Sequence, residues 1–233
     1  MGEDDDTLLS EQRSFYRARA PEYDEWWQRQ GRYQRGKDAE AEWHRQVAVI
    51  DSALTAFNAT GNVLEMAGGT GWWTQRLERT AENLTVVDAS PEVLALNRAR
   101  VRRKDVSYEV ADLFEWRPDR SYDVVFFSFW LSHVPRSRFG DFWSLVRSCL
   151  APGGRVFLID NRDDPVPQSG IRDPYVVQYG PDVHLRQLND GSRYRVVKVM
   201  YEPVELQSLL EAAGWQAGVE ATRWFIYGSA VPN

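Results

Sequence analysis

Three carboxylates placed at or just beyond the ends of apolar runs, with a glycine-broken turn behind the first, carry the earliest chemical signal in this chain. VLEMAGGTGWWT (63–74) is an apolar run holding one acid, Glu65, before it breaks into Gly68, Gly69 and Gly71 and two tryptophans. Gly69 and Gly71 let backbone N–H groups approach a ligand closely. Asp88 ends the next run, nineteen residues after Gly69, and at that spacing an acid can accept both hydroxyls of a ribose. Asp112 follows the third run, in VADLFEW. Each feature also has a plain reading. The glycines can be a tight turn, Asp88 a cap for a helix opening at Pro91, and Asp112 an ordinary surface turn.

A dinucleotide reading of the same loop requires G-x-G-x-x-G, whose third glycine would fall where this chain has Thr74. Trp72 and Trp73 stand where a pyrophosphate should meet a helix N-terminus, and Glu65 would repel it. A cofactor with an amino group and a sulfonium suits these residues better. Glu65 can sit near the ammonium, and an aromatic face can attract the sulfonium by ~0.5–2 kcal/mol.

His133, six residues past the fourth apolar run, is the candidate catalytic base or hydrogen-bonder to an acceptor; its plain role is to hold the SHVP loop. His44 lies beside an apolar helical stripe and reads as structural, while His184 is ambiguous. Arg186, Arg193, Arg195 and Lys198, with Arg32 and Arg35 nearer the N-terminus, could recognise an anion or be solvated. Strand alternation sets Arg195 and Lys198 on opposite sides unless a bulge intervenes. The acidic DNRDD (160–164) lacks the further ligands a magnesium site would draw from elsewhere, so no metal is expected.

These residues need elements to hold them. From Leu8 to about Gly31 the pattern is helical and aromatic, with Pro21 splitting it into two short helices. Trp43, Val47, Ile50, Leu54 and Phe57 then form one face of a long helix. Beyond it strands at 63–66, 84–88, 106–110, 123–127 and 155–160 alternate with helices at 71–80, 91–103 and 137–150. Near-continuous Val, Leu, Ile and Phe in such strands means a parallel sheet covered on both faces. Residues 161–180 read as loop. HLRQL and RYRVVKVMY flank NDGS, a hairpin signal. A helix at 203–213 and strands at 216–222 and 223–230 close the chain. The hairpin and the aromatic N-terminal segment have the makings of a lid over a pocket at the sheet edge.

Composition narrows the partners. The 233 residues suit one large domain, and 43 % hydrophobic residues can fill its core. A net charge of −6 supplies no global field toward nucleic acid or anionic membrane. No apolar run approaches the ~20 residues needed to span a bilayer. The acidic start, MGEDDD, is unlike a secretory signal and is expected to be disordered over residues 1–6. The single cysteine, Cys149, reads as buried packing and agrees with a cytoplasmic location. The expected partner is a small-molecule acceptor, with no nucleic acid and no membrane; monomer and homodimer both stay open.

LEMAGGTG, VVDAS, VADLF, YDVVFFSFWLSHVP and LAPGGRVFLID, in that order over about residues 60–160, resemble the successive motifs of class I S-adenosylmethionine-dependent methyltransferases. The chain departs once, with Ala67 at the family's usual first glycine. The resemblance implies a Rossmann-like α/β sheet, mostly parallel with its last strand antiparallel, an N-terminal helical cap and a β-hairpin inserted after strand 5. It divides the chain into a tail and cap over 1–36 and a methyltransferase domain over 37–233, in which 161–200 is a substrate-side loop and hairpin. It implies S-adenosyl-L-methionine as cofactor and S-adenosyl-L-homocysteine as product. Glu65, Ala67, Gly69 and Gly71 would hold the methionine part, and Asp88 the ribose. Ala89 and Ser90 would border the adenine, Asp112 and the Leu113 backbone would meet its edge, and Phe127 and Ser128 would offer carbonyls. Tyr16, Tyr23 and Trp73 join the cofactor candidates. Tyr23, Trp27, Trp130, His133, Arg186, Arg195 and Lys198 are the acceptor candidates.

FYRARAPEYD, FFSFWLSHVP, NDGSRYRVVKV and ELQSLLEAAGW extend the resemblance to small actinobacterial natural-product methyltransferases, a group that includes the phosphonate O-methyltransferase of dehydrophos biosynthesis. WWQRQGRYQRG (26–36) does not follow that pattern, so the resemblance does not carry the acceptor over. The expected activity is methyl transfer to an oxygen, or a nitrogen, of a small metabolite in natural-product biosynthesis. Methylation of a base amino group fits less well, because SFWLSH replaces the Asn/Asp-Pro-Pro-aromatic run. A nucleotide-dependent oxidoreductase and a non-catalytic cofactor-binding regulatory protein are the readings from other classes.

Overall fold

The strand that carries Glu65 sits at the middle of the sheet. The computed structural model describes residues 5–163 and 176–233. Its main sheet is built from β1 (Asn62–Met66), β2 (Asn83–Asp88), β3 (Ser107–Val110), β4 (Tyr122–Ser128), β5 (Leu150–Asn161), β9 (Trp215–Ala221) and β10 (Phe225–Pro232), in the order β3-β2-β1-β4-β5-β10-β9. The first five strands are parallel, and β10 runs antiparallel to both β5 and β9. The order turns back between β1 and β4, where a doubly wound sheet opens a crevice at its carboxyl edge. Register brings the strand ends level there, with Met66 opposite both Val87 and Phe127, and Ser128 opposite Ile159.

Strand alternation sorts the apolar residues into two cores. Leu64, Met66, Val125 and Phe127 face α6 (Phe139–Cys149) and α7 (Pro203–Ala212), meeting Phe142, Trp143, Leu206 and Leu210. Val63, Val124 and Phe126 face the other way, toward Trp43, Ile50 and Leu54 of α3 (Lys37–Phe57) and Leu94 of α5 (Pro91–Arg100). The α5 helix begins where expected, with Pro91 in its first turn and Ser90 Oγ accepting from Val93 N at 3.2 Å. Cys149 is fully buried. No helix among the described residues is long and apolar enough to cross a membrane.

Several elements differ from the sequence reading. The helix expected over 71–80 is regular only as α4 (Thr74–Leu77), and Gly71 at φ +89° cannot belong to it. The strand expected from residue 155 already begins at Leu150, so residues 151–154 belong to β5. The inserted hairpin has a third strand: β6 (Val176–Gly180) pairs with β7 (Val183–Gln187), which pairs with β8 (Arg193–Val197), all antiparallel. The largely exposed residues of β6 lack the apolar pattern of a strand and owe their conformation to pairing with β7. The rest of the stretch expected as loop, 164–175, lies outside the described residues. Of the disordered start expected over 1–6, Asp5 and Asp6 instead open α1 (Asp5–Arg19), where acids favour a helix N-terminus. They also reach Ser137 and Arg138.

That first helix is the cap. Leu8, Leu9, Gln12 and Phe15 form its buried face. Gln12 bridges two distant segments, donating to His133 O at 3.2 Å and accepting from Val197 N at 3.1 Å. Glu11 accepts from the backbone and side chain of Arg195 at 2.6 and 2.8 Å. After a 3-10 turn at Ala20–Glu22 comes α2 (Asp24–Trp27).

Candidate active site

The glycine loop is shaped by what lies beneath it. A Cβ on Gly68 would lie 2.2 Å from Val86 Cγ1, and one on Gly71 2.9 Å from the Asn97 side chain. Both glycines let the loop lie on β2 and α5. Asn97, fully buried, donates to Gly68 O, Gly69 O and Thr74 Oγ1 at 3.1, 3.2 and 2.8 Å. Gly69 N–H is spent internally, on Asp88 Oδ2 at 3.0 Å, while Asp88 Oδ1 accepts from Ser90 N at 2.9 Å. Asp88 is thereby fixed at the rim of the crevice. Burial, its largest influence, raises the pKa of this carboxyl; these backbone N–H groups pull it back.

The crevice holds a cavity of about 70 Å³. Of the proposed cofactor residues, Tyr16, Tyr23, Ala67, Gly69, Asp88, Ala89, Ser90, Asp112, Leu113 and Ser128 line it. Trp130 and His133, read as acceptor residues, line it too. Four candidates stand elsewhere. Gly71 is turned to Asn97, and the ring of Phe127, whose carbonyl was the candidate, packs in the core against Phe142 and Trp143. Trp73 is buried against Trp27 and Phe126. Glu65 lies beneath the glycine loop, its carboxyl carbon 3.6 Å from where a Cβ on Gly68 would stand, and its Oε2 accepts from Thr74 Oγ1 at 2.6 Å. Its Oε1 has no hydrogen-bond partner among the described residues, and burial pushes its pKa up to about 8.

The cap closes the cavity from above. Arg13 Nη1 lies 2.7 Å from Asp112 Oδ2, whose other oxygen accepts from Phe114 N at 3.0 Å. Asp24 on α2 accepts from Thr70 Oγ1 at 2.6 Å and Trp72 Nε1 at 3.0 Å, and it pairs with Arg100. Trp72 then stacks on Trp27, 5.6 Å between centroids, which explains a tryptophan at this place in the loop. Gln12, Arg13, Asp24, Asn97 and Phe129 were not singled out from sequence. Asn97 alone left a signal there, a polar residue in step with the apolar face of Val93 and Leu94.

A second cavity, about 370 Å³, adjoins the first. Tyr16, Tyr23, Phe129 and His133 line both and so stand at the junction. Among the described residues, cations dominate its wall: Arg19, Arg29, Arg35, Arg162, Arg186 and Lys198, against Asp163. Lys198 is buried, donates to Ser132 Oγ at 2.7 Å and lies 3.7 Å from Asp160; burial depresses its pKa to about 8, with Asp160 opposing. His184, ambiguous in sequence, lines this cavity, and burial brings it down to about 4. Arg195 does not reach the cavity. It is turned to Glu11 on α1, as strand alternation with Lys198 requires. Trp27 lies behind the glycine loop with Trp72 and Trp73.

His133 is held at both ring nitrogens. Val197 O, 2.7 Å from Nδ1, can only accept, so Nδ1 carries the proton and Nε2 accepts from the Tyr16 hydroxyl at 2.7 Å. Burial, then Lys198, Arg186 and Arg19, keep the ring neutral by holding its pKa well below the ordinary value. The imidazole thus stands at the cavity junction with both nitrogens engaged and orients the Tyr16 hydroxyl beside it.

Residues 63–154 match a family model described as a methyltransferase domain. The chain is 37 % identical to the protein in the solved DhpI–SAH complex, covering 97 % of each chain with a TM-score of 0.76. For the DhpI–SAM–HEP complex the identity is again 37 %, over 97 % of this chain and 98 % of that one, with a TM-score of 0.77. The demethylmenaquinone methyltransferase of Tropheryma whipplei strain Twist is 28 % identical over 185 residues, 76 % of this chain and 74 % of that protein.

Proposed function

This chain belongs to the S-adenosylmethionine-dependent methyltransferases, and from that premise we propose that it methylates an oxygen, or a nitrogen, of a small anionic metabolite in natural-product biosynthesis. One observation carries the acceptor class: in a chain of net charge −6, the cavity that shares its wall with the cofactor crevice is lined, among the described residues, by six cations and one acid.

S-Adenosylmethionine, when bound, supplies an electrophilic methyl carbon on a sulfonium. The residues of the first cavity fit it: Asp88, pinned by two backbone N–H groups, suits a ribose diol, and the small Ala67 and Gly69 leave room for close approach. Ala89, Ser90 and Leu113 are assigned to the adenine. Asp112 is assigned to its amino group, a role it would share with or take over from the contact to Arg13.

The protein's task in methyl transfer is alignment and exclusion of water. Tyr16, Tyr23 and Phe129 at the junction serve both, with the Tyr16 hydroxyl oriented by neutral His133. An acceptor that arrives ionised needs no base. Lys198 and Arg186 then supply the opposite charge, with Lys198 held in place by Ser132 and Asp160. DhpI is solved with both SAM and HEP, which supports a small acceptor beside the cofactor.

The test is release of S-adenosylhomocysteine from S-adenosylmethionine over a panel of phosphonates, carboxylates, phenols and heteroaromatic amines. Methylated product from anionic members supports the proposal. Turnover confined to neutral or cationic members, or none with any member, overturns it.

A further inference from the structure

The stretch WWQRQGRYQRG (26–36) contributes to the acceptor cavity in a way the proposed chemistry does not use. Arg32 anchors it to the hairpin, donating to Gln187 O at 2.7 Å, with Glu22 at 3.5 Å. Its neighbours Arg29 and Arg35 both line the cavity.

Arg29 is held there against its own backbone preference. Its φ of +53° lies in the left-handed region, costly for a residue with a Cβ and sustained only where surrounding structure enforces it. The guanidinium lies 4.5 Å over the Trp43 ring, and its Nε has no hydrogen-bond partner among the described residues. A structural arginine of this kind ordinarily has an acid at its fork. Here another cation, Arg35, shares the cavity and opposes the charge of Arg29, while Glu40 and Tyr33 support it. The cations acting on His133 are instead Lys198, Arg186 and Arg19. The cavity thus has two positive groups, one beside His133 and one beside Trp43, with Trp26 and Phe129 packed on each other at 5.1 Å along the wall.

We propose that Arg29 and Arg35 form a second anion site at the Trp43 end of the acceptor cavity, so that the acceptor carries two anionic groups joined by a body that packs on the aromatic wall. This rests on reading the cavity as the acceptor site. One anionic group lies at Arg186 and Lys198, near the cofactor, and receives the methyl group. The other is recognised by a guanidinium that Trp43 has already oriented, which keeps the fork ready for a bidentate contact with carboxylate or phosphonate.

The probes are alkyl monophosphonates and α,ω-bisphosphonates of increasing spacer length, titrated calorimetrically into the protein saturated with S-adenosylhomocysteine. At a matching length the bisphosphonate binds on the order of 10-fold or more tightly than its monophosphonate counterpart. Arg29→Gln with Arg35→Gln brings it down to the monophosphonate level, while S-adenosylhomocysteine binding reports an intact fold. Lys104→Gln with Arg120→Gln, two exposed cations elsewhere, removes the same charge and keeps the gain. Monophosphonate binding with no gain at any length overturns the second site alone, as does a gain that survives Arg29→Gln with Arg35→Gln. If the monophosphonates do not bind, or bind unchanged after Lys198→Met, the anionic reading of the whole cavity falls and takes the second site with it.

Discussion

Replacing Glu65 by glutamine isolates the cost of one buried carboxyl. Glu65 is 1 % exposed, and burial moves its pKa from the ordinary 4.5 to about 8, with the hydrogen bond from Thr74 only partly opposing. Between those two values the folded chain keeps a proton that the unfolded chain has released, so stability falls as pH rises. At ~1.4 kcal/mol per pH unit, the window from about pH 4.5 to about pH 8 amounts to a loss of up to about 5 kcal/mol. The amide of Glu65→Gln carries no such proton. Its oxygen can accept from Thr74, and its NH2 falls where Oε1 has no partner among the described residues, as the protonated acid's hydroxyl does in the native chain. Near pH 4.5 the two proteins should therefore match within ~1–2 kcal/mol, and by pH 8 the variant should be the more stable by several. Urea unfolding of the cofactor-free proteins at a series of pH values measures the difference directly. A stability difference that stays constant from pH 4.5 to pH 8 would refute a carboxyl held protonated by burial.

Asp88→Ala should weaken S-adenosylhomocysteine binding on the order of 100-fold by calorimetry, since two charge-assisted hydrogen bonds to the ribose are lost; an unchanged affinity removes Asp88 from the site. Lys198 keeps its charge below about pH 8 and loses it above, so the KM for a permanently ionised acceptor should rise through that pH in the native enzyme and stay flat in Lys198→Arg; parallel profiles would dismiss the cation. Tyr16→Phe and His133→Ala remove the same contact, so each should slow methylation of an ionised acceptor by a similar, few-fold factor, with the double variant no slower than the worse single one. A loss of ~10²–10⁴ confined to His133→Ala would instead identify the imidazole as a base.

The parallel sheet was legible because its strands are apolar on both faces, and Asp88 was legible because a strand end faces the crevice. NDGS marked its hairpin because such a tight turn needs a residue at positive φ, here Gly191 at +89°. What stayed hidden is long-range. Nothing near Asp24 in sequence points to Thr70, Trp72 and Arg100, and nothing near Gln12 points to His133 and Val197. Glu65 is legible in part: the period of two puts it on the face of Val63, but its bond to Thr74 beneath the glycine loop depends on how that loop folds back. His133 shows the same difficulty. Its position after β4 was plain, yet its tautomer depends on Val197, contributed by a hairpin 64 residues on.

The contacts that shut the cap join the beginning of the chain to its last third: Glu11 to Arg195 and Gln12 to Val197 are separated by 184 and 185 residues. On the ribosome α1 emerges well before β8, so these contacts wait until β1 to β5 have been synthesised. The closed pocket is a late product of folding, carrying a large loop-closure entropy and little local structure to prepare it. Cofactor that fills the closed pocket therefore acts on a late step of assembly as a mass-action brace, and α1 and the hairpin gain order together with it.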